Sequence, residues 1–462
     1  MGPQQCVSEV YPDLCPEQAA LYEACIWYYQ GDKYLRLSNG IANVGLWELF
    51  FEPSGPVNPV SGKRPSRQRV GCVKPWGDTL VKYYPADSFV YHPAPCHDHL
   101  HLGKVAEYSI RVYGGTASPP GTPLAFGDKV GFCLLDGVQY EGCCCGLPEG
   151  EGPLAPYFTQ GTCSYDIDEP YFFMGVSIGW RDKYSYSLAD QWIELPSTLS
   201  PGPYWLESVV DPTKFIKQKT RANDTVRIPV FIAYKDLYEP NETHGAVDAM
   251  PVGGSYSSNL SACQTTIDNL SIHREYDGAE PCLGAASGDV DYFKINLSDD
   301  GSESHFVRIR FGDSSATLFK DGNLDLELRD ANNEFVDRSD SNDDDETIML
   351  DGRGAGIYYV KVYGRAGDPT PNIPNSNHYY RLELSLPPPE PVCGDVNGDG
   401  LVDPLDVQIL TNHVFGGGNL PCPQQANVHS DDCALNSSDV ITLSNHVYPP
   451  YDPLPPNACT CP

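Results

Sequence analysis

The sequence Cys96-His97-Asp98-His99-Leu100-His101 sets three histidines two residues apart. Because successive side chains of a β-strand point to opposite faces, this spacing predicts a strand with all three imidazoles on one face. Neutral imidazole nitrogens are ligands for copper and zinc. We therefore predict that His97, His99 and His101 bind a transition metal, and we prefer this interpretation to a polar strand face without a metal.

The rest of the chain predicts a mainly β protein. Short apolar runs separated by Gly, Pro and Asp continue through most of its 462 residues, which include 43 Gly and 42 Pro. Frequent turn-forming residues favour strands and loops over helices. No run approaches the roughly 18 apolar residues of a membrane-spanning helix, so we expect no transmembrane segment.

Acidic residues are concentrated in the second half of the chain. The formal net charge is -32, and residues 236–462 contain 37 Asp and Glu against 11 Lys and Arg. Residues 1–235 contain 25 against 19. This distribution suits calcium sites in C-terminal modules. We expect no nucleic-acid partner, because the sequence has no basic stripe.

Seventeen cysteines predict disulfides, and ten of them lie in residues 1–163. Disulfides persist in oxidising compartments, so we predict a secreted, extracellular protein. Residues 1–5 show neither the basic nor the apolar region of an export signal, and the expectation of secretion therefore depends on the cysteines. Cys263 and Cys282 are expected to pair within one module.

Changes in composition divide the chain into segments. Alternating runs such as Asp289–Ile295 and Gly356–Tyr363 predict strands with one buried face. The predicted segments are a Cys-containing N-terminal segment (1–32), a β domain (33–235), a polar linker (236–258), a β-sandwich (259–386), a Pro-rich linker (387–392) and a small helical module (393–462).

The last segment contains a twelve-residue loop rich in oxygen ligands, beginning at Asp395. Its acidic and amide residues fall at positions 1, 3, 5, 9 and 12 that calcium-binding loops use, and Gly400 stands at the sharp turn. The predicted calcium ligands are Asp395, Asn397, Asp399, the backbone carbonyl of Leu401, Asp403 and Asp406.

This loop belongs to a duplicated unit, since Asp406–Phe415 is repeated at Asp439–Tyr448. The second loop, from Asn427, has His429 at position 3 and Asp432 in place of the turn glycine. Whether the second loop holds calcium is open.

The two C-terminal modules resemble known families. The duplicated unit, residues 393–448, resembles dockerin type I modules, which implies paired calcium loops and a cohesin-like or cell-surface partner. Residues 259–386 resemble the bacterial pre-peptidase C-terminal domain through Gly288–Phe293, Leu324–Leu328 and Gly356–Val360. This second resemblance implies an accessory β-sandwich of a secreted enzyme.

The first β domain contains further motifs in a fixed order. Lys129 lies in Gly127–Asp136, Tyr184 ends Gly179–Tyr184, and Asp190–Ile193 follows. Together with the preceding histidine strand and the following Pro201–Leu206, these motifs in this order resemble the lysyl oxidase family over about residues 33–234.

The resemblance implies a copper amine oxidase that uses O2. Such enzymes convert primary amines, often lysine side chains of proteins, to aldehydes with release of ammonia and hydrogen peroxide. Copper would be held by His97, His99 and His101, and the cofactor lysine tyrosylquinone would form from Lys129 and Tyr184. A quinone carbonyl is an electrophile that condenses with amines. The catalytic base is not identified.

Asp128 and Asp182 flank the two cofactor residues and are candidate bases. His92 is not counted as a ligand, because Pro93 and Pro95 interrupt the strand pattern after it. The resemblance also implies two disulfides, which are Cys96 with Cys163, and Cys133 with one of Cys143, Cys144 or Cys145.

Two other functions compete with the oxidase. The first is a non-catalytic extracellular binding protein with an inactive oxidase-like domain and calcium-stabilised modules for attachment. The second is a zinc hydrolase with three histidine ligands, which is less favoured because no obvious Glu base lies near the histidines.

Overall fold

The structure is a computed structural model, and it describes most of the chain. The described residues are 6–74, 79–94, 97–114, 121–127, 129, 131–140, 155–159, 163–250, 257–260, 265–272, 274–276, 286–311, 324–341, 345–364, 378–387, 392–418, 420–429, 434–449, 451–455 and 458–459. They form two compact units, one from residues 1–232 and 274–287 and one from residues 233–273, 288–369 and 375–462.

Strands dominate the first part of the chain. They are β1 (Ser8–Val10), β2 (Leu14–Pro16), β3 (Cys25–Tyr29), β4 (Asp32–Arg36), β5 (Asn39–Asn43), β6 (Leu49–Pro53), β7 (Arg64–Val73), β8 (Thr79–Ala94), β9 (His97–Leu102), β10 (Ala106–Val112), β11 (Pro123–Phe126), β12 (Val138–Gln139), β13 (Met174–Val176), β14 (Trp180–Tyr184), β15 (Trp192–Glu194), β16 (Gly202–Val210) and β17 (Thr225–Ile232). One short helix, α1 (Gln18–Leu21), lies among them.

The remaining residues add ten strands and four helices to the described structure. The strands are β18 (Thr266–Ile272), β19 (Arg274–Tyr276), β20 (Ala286–Gly288), β21 (Val290–Leu297), β22 (Phe306–Phe311), β23 (Leu324–Asp330), β24 (Phe335–Ser339), β25 (Asp345–Met349), β26 (Gly356–Gly364) and β27 (His378–Ser385). The helices are α2 (His244–Asp248), α3 (Pro404–Gly416), α4 (Pro423–Ala426) and α5 (Ser437–Val447). The prediction of a mainly β protein is confirmed.

Within the described residues, the strands of the first unit form four sheets. Their orders are β13-β6-β7-β8-β9 with β1 beside β7, β11-β10-β16-β17, β12-β14-β5-β2, and β15-β4-β3-β19-β20. Nearly all pairs are antiparallel, and β3 with β19 is parallel. The core consists of alternate residues of these strands, such as Leu35, Phe51, Leu100 and Ile110, which have no exposed surface.

The N-terminal residues are part of this first unit. Strand β1 pairs with β7, β2 with β5, and β3 with β4. A disulfide between Cys6 and Cys72 joins β7 to the start of the chain. The expected separate segment at residues 1–32 is therefore integrated in the β domain where the structure describes it, because its strands complete three of the sheets.

Two four-stranded sheets form a sandwich in the second unit. Their described orders are β18-β27-β22-β25 and β21-β26-β23-β24. Side chains of both sheets share one hydrophobic core, which includes Phe293, Ile309, Leu326 and Leu382. The alternation that the sequence shows in β21 and β26 thus corresponds to one buried face per strand.

The predicted linker at 236–258 is folded where it is described. It contains α2, whose Asp248 forms an ion pair with Lys294 of β21 at 2.9 Å. The backbone N–H of Tyr292 donates to the carbonyl of Asn241 at 2.9 Å. Polar composition suggested a linker, but these residues pack on the sandwich. Residues 274–276, placed in the sandwich from sequence, belong instead to the sheet of β3.

Helices α3 and α5 pack around a small separate core in the second unit. This core includes Val396, Leu410, Val428 and Leu443. A capping box opens each helix, formed by Asp403 with Asp406 in α3 and by Asn436 with Asp439 in α5. No helix of the described residues is long and apolar enough to cross a membrane.

Candidate functional site

The histidine stretch forms strand β9, at the edge of its sheet beside β8. Leu100 and Leu102 are fully buried on one face, and His101, on the other face, is 3% exposed. The predicted alternation of β9 therefore holds for these described side chains. The backbone of His97 continues the strand, but its side chain lies outside the described part of the structure.

Antiparallel pairing places a fourth histidine beside these residues. His92 of β8 is the register partner of His99 of β9. The His92 and His101 rings stack with centroids 4.7 Å apart, and the His99 and His101 centroids are 4.9 Å apart. His92 was left out of the predicted ligand set because prolines follow it, yet β8 continues to Ala94. The sequence alone does not reveal the register of the β8–β9 hairpin, which places His92 opposite His99.

The environment of His99 favours the form that binds metals. Burial, and after it the positive charge of Lys129, lower the pKa of His99 to about 4. The imidazole is therefore neutral at pH 7 and has a nitrogen lone pair for a metal. The described histidines thus fit a transition-metal site chemically.

Lys129 and Tyr184 are adjacent. Lys129 Nζ lies 4.9 Å from the centroid of the Tyr184 ring, and the side chains are 3% and 5% exposed. Burial lowers the pKa of Lys129 to about 8, although Asp190 and Asp182 oppose this shift. Burial raises the pKa of Tyr184 well above its usual range.

The Tyr184 ring is held by its neighbours. Its hydroxyl accepts a hydrogen bond from the backbone N–H of Cys133 at 2.9 Å and donates one to the Cys133 carbonyl at 3.0 Å. The Phe132 ring packs edge-on against the tyrosine ring, with centroids 4.8 Å apart. These contacts fix both the position and the plane of the phenol.

Backbone pairing joins the lysine segment to the histidine strand. Leu102 donates to the Phe132 carbonyl at 2.8 Å, and Phe132 donates back at 3.1 Å. A Cβ atom on Gly131 would lie 3.2 Å from the Cβ of His101, so the segment passes directly beside the histidine. Lys129 and Tyr184 are therefore brought together with His99 and His101 in one region of the first unit.

The disulfide beside this region differs from the expected pairs. Cys133 is bonded to Cys163. The expectation that Cys163 pairs with Cys96 is wrong, as is the pairing of Cys133 with residues 143–145, because the two half-cystines are already joined to each other. Cys96, residues 143–145, Cys263 and Cys282 lie outside the described residues.

Two carboxylates accompany the lysine. Asp182 of β14 is 2% exposed, and burial raises the pKa of its carboxyl group well above the usual range. Asp190 receives a hydrogen bond from His92, which is the largest cause of its lowered pKa. Of the two candidate bases named from sequence, Asp182 lies at the site and Asp128 lies outside the described residues.

The predicted calcium loop is closely folded. The Asp395 carboxylate accepts hydrogen bonds from the N–H groups of Gly398 at 2.7 Å, Asp399 at 3.1 Å and Gly400 at 2.8 Å. Asp406 is fully buried, and burial raises its pKa to about 6. These hydrogen bonds fold one loop that contains Asp395, Asn397, Asp399 and Asp406. Their side chains offer hard oxygen atoms of the kind that bind calcium.

The second loop repeats part of this arrangement. Asp439 accepts from the N–H groups of His429 and Asn436, both at 2.9 Å, as Asp406 accepts from Asn397 and Asp403. Asp432 lies outside the described residues. The duplication predicted from sequence is thus present in the hydrogen bonds at the two helix starts.

One cluster of three carboxylates was not predicted from the sequence. The carboxylate oxygens of Glu239, Asp289 and Asp291 lie within 4.8 Å of one another on the sandwich. Burial, and after it the charge of Asp289, raise the pKa of Asp291 well above its usual range. Asp291 lies in β21, Asp289 directly before that strand, and Glu239 in the segment predicted as a linker, so no local sequence pattern joins the three. Three carboxylates at this spacing offer oxygen ligands suited to a divalent cation.

Comparison with known proteins finds lysyl oxidase relatives. Over 140 residues the chain is 26% identical to lysyl oxidase homolog 3A of Danio rerio, and over 146 residues it is 25% identical to lysyl oxidase homolog 4 of Mus musculus. Each match covers 30% of this chain and 15% of the relative. The chain therefore contains a lysyl oxidase-like region and spans only a small part of each relative.

No protein-family model matches the chain. The subviral particle of infectious bursal disease virus VP2 is 11% identical with a TM-score of 0.15, covering 84% of this chain and 74% of that one. The M60 catalytic domain with two CBM51 domains from Clostridium perfringens is 9% identical with a TM-score of 0.14, covering 83% and 56%. The resemblances to pre-peptidase C-terminal and dockerin modules stay predictions.

Proposed function

We propose that the first unit is a copper-dependent amine oxidase with a lysine tyrosylquinone cofactor. Its substrates would be primary amines or lysine-containing proteins, which it converts with O2 to aldehydes, ammonia and hydrogen peroxide. The observation that carries this proposal is the 4.9 Å distance between Lys129 Nζ and the Tyr184 ring. The similarity of this region to lysyl oxidase homologues supports it.

The residues present fit the metal and the quinone. His99 and His101, with His97 from the same strand and His92 from β8, would hold the copper ion. Lys129 Nζ is buried and has no hydrogen-bond partner among the described residues, as suits an atom that becomes bonded to the neighbouring ring. Bound copper would supply redox chemistry with O2 for oxidising the Tyr184 ring, and the quinone an electrophilic carbonyl for the substrate amine.

The chain's own residues prepare this chemistry. With a pKa of about 8, roughly a tenth of Lys129 is neutral at pH 7, far more than for an ordinary lysine, and a neutral amine is the nucleophilic form. The two hydrogen bonds between the Tyr184 hydroxyl and the Cys133 backbone, and the packing of Phe132, hold the ring that the amine must reach. Burial of the pair excludes bulk water from the reacting atoms.

The second unit would serve as an accessory part of a secreted enzyme. Calcium bound by Asp395, Asn397, Asp399, Asp403 and Asp406, with the Leu401 carbonyl, would order the helical module. That module would engage a cell-surface or cohesin-like partner. Secretion is supported by the described disulfides, which are stable in oxidising compartments.

Peptide mass spectrometry tests the proposal. Protein loaded with copper in air should yield one cross-linked species that contains the peptides of Lys129 and Tyr184, and it should react with a phenylhydrazine. Lys129→Met and Tyr184→Phe should abolish both results. Lys183→Met is the matched control, because Lys183 is next to Tyr184 but forms an ion pair with Glu23.

Two unlinked peptides and no hydrazine adduct in the copper-loaded protein would overturn the proposal. That result would favour the non-catalytic binding protein. If the link is found, production of hydrogen peroxide from a panel of free amines and lysine-rich polypeptides identifies the substrate class.

A further inference from the structure

Arg36, the last residue of β4, is a buried cation that the proposed roles do not use. Its side chain has no exposed surface, and a guanidinium group stays charged in proteins. Taking such a charge out of water is costly unless hydrogen bonds compensate for it. The partners of Arg36 therefore indicate what the buried charge is for.

The guanidinium group of Arg36 donates to two carbonyl groups of one loop. Nε donates to the carbonyl of Tyr186 at 2.6 Å, and Nη2 donates to that of Leu188 at 2.7 Å. The ring centroids of Trp27 and Trp192 lie 4.7 and 5.1 Å from its Cζ atom. Because an aromatic face attracts a cation, these rings help to hold the guanidinium group against the loop.

That loop, residues 185–191, joins β14 to β15, and we name it the bridging loop. It begins directly after Tyr184, and Asp190 lies near its end. The Asp190 carboxylate lies 2.9 Å from His92 Nε2, and the His92 ring stacks on His101. A shift of the bridging loop would therefore move the partner of a histidine at the candidate metal site.

Asp190 depends on its surroundings, because its backbone is in the left-handed region, with φ of 60°. Residues other than glycine rarely adopt this region, although Asp is among those that do. A residue persists there when the surrounding structure holds it, and such residues are frequent at functional sites. The Leu188 carbonyl that accepts from Arg36 also accepts from the N–H of Gln191 at 3.4 Å, and Leu37 donates to the Gln191 carbonyl at 3.1 Å. The backbone is thus held on both sides of Asp190.

We propose that Arg36 is a positioning residue of the metal site. By holding the bridging loop, it places the Asp190 carboxylate, and through that carboxylate the His92 imidazole, where the ring can bind copper. A lysine does not replace it, because one ammonium group does not match two carbonyls as the planar guanidinium fork does. The inference rests on the proposed function in naming copper as the metal and His92 as one of its ligands.

Copper affinity, measured by competition with a chelator of known affinity, tests the proposal. For Arg36→Lys we expect binding about tenfold weaker, the lower end of the effect of losing an outer partner of a metal-bound histidine. Asp190→Asn removes the carboxylate itself. The double variant should bind no more weakly than Asp190→Asn alone, because Arg36 then has no carboxylate to place. Arg36→Lys with wild-type affinity, or a double variant in which the two losses multiply, would overturn the proposal.

The matched control is Arg221→Lys. Arg221 also donates to a loop carbonyl, that of Ile216, and it pairs with Asp211 and Asp224, which are not residues of the candidate site. Its replacement should lower the thermal stability and leave the copper affinity unchanged. Equally weakened copper binding in both arginine variants would mean that affinity only follows stability, and this too would overturn the proposal.

A measurement on the wild-type protein does not depend on whether Arg36→Lys folds. Coupling between two sites is reciprocal, so copper must stabilise the bridging loop if the loop strengthens copper binding. The N–H groups of Leu188 and Gln191 donate to carbonyls within this loop. We expect their hydrogen exchange to slow by about tenfold when copper is added, the same factor as for affinity, while exchange in β26 of the second unit stays the same. Unchanged exchange of Leu188 and Gln191 would overturn the positioning role.

Failure of the proposed function gives a different result. Copper that binds with the expected differences in affinity, but without a link between Lys129 and Tyr184, would overturn the oxidase and still support the role of Arg36. Wild-type protein that binds no copper would overturn both.

Discussion

The His92 imidazole lies 2.9 Å from the Asp190 carboxylate, and this contact joins strand β8 to the segment that follows Tyr184. The same ring stacks on His101 at 4.7 Å. A carboxylate that accepts from a histidine fixes the orientation of the ring and raises its basicity as a ligand. Asp190 thus connects the two halves of the candidate site, the histidines and the phenol.

We expect Asp190→Asn to weaken copper binding by about 10- to 100-fold, the usual effect of losing such a partner of a metal-bound histidine. Competition with a chelator of known affinity measures this change. Asp166→Asn, at an exposed aspartate of the same unit, should leave the affinity unchanged. Equal affinities for the two variants would mean that His92 takes no part in the metal site.

Replacing Lys129 should stabilise the protein. The pKa of Lys129 in the folded state is about 8, below its ordinary value of 10.5, so the folded state disfavours the charged form. The penalty is complete below pH 8 and is lost as the pH rises through 10.5, because the unfolded chain binds more protons in that interval. We expect Lys129→Met to raise the free energy of unfolding of metal-free protein by about 2–3 kcal/mol at pH 7.

Denaturant unfolding at pH 7 and pH 10.5 measures the effect, and the gain should be much smaller at the higher pH. Lys63→Met, at an exposed lysine, should show no gain at either pH. A Lys129→Met protein less stable than wild type at pH 7 would indicate that the ammonium group is well solvated.

Local patterns in the sequence predicted the strand β9 and its two faces, because alternation is a property of neighbouring residues. They could not predict that His92 faces His99, since the register of a hairpin depends on pairing across the turn. The partner of Cys133 was out of reach for a similar reason, because many pairings are compatible with one set of cysteines. The pairing of β19 with β3 joins residues nearly 250 positions apart, and only tertiary packing selects it.

The adjacency of Lys129 and Tyr184 was expected from the lysyl oxidase resemblance and not from any local pattern. The buried polar surroundings of Tyr108 had no signal in the sequence. The side chains of Asn39 (β5), Asp182 (β14) and Gln191 all act on buried Tyr108 of β10, and only the fold brings them together.

The disulfide between Cys133 and Cys163 should matter for chemistry more than for stability. The Cys133 N–H donates to the Tyr184 hydroxyl and the Cys133 carbonyl accepts from it, so release of this half-cystine should loosen the phenol. We expect the double variant Cys133→Ser, Cys163→Ser to form the Lys129 to Tyr184 link at least about tenfold more slowly, the effect of losing about 1.4 kcal/mol of positioning.

Removal of the Cys6 to Cys72 disulfide is the control, since it closes a longer loop of the same unit, with a sequence separation of 66 against 30. On loop-closure grounds its loss should lower stability at least as much. Thermal unfolding and the rate of link formation are measured for both variants. If the rates of link formation in the two variants fall only in line with their loss of stability, Cys133 has no positioning role.

Calcium should stabilise residues 395–406 and helix α3 without changing the oxidase chemistry. The loop gathers Asp395, Asp399 and buried Asp406, and like charges at this density favour binding of a divalent cation. At calcium 100-fold above the dissociation constant, the gain for the helical module should be about 2.7 kcal/mol.

Amide hydrogen exchange with and without a chelator tests this expectation. Protection of residues 395–406 and α3 should fall when calcium is removed, while the rate of amine oxidation stays the same. Asp399→Ala should remove the calcium-dependent protection, whereas Asp452→Ala, at an exposed aspartate outside the loop, should keep it. The second loop has His429 where the first loop has Asn397. The number of bound calcium ions shows whether this loop also binds: two ions mean that it does, and one means that it does not. Exchange that ignores calcium would exclude the loop as a site, and equal loss of oxidation and protection would contradict independent units.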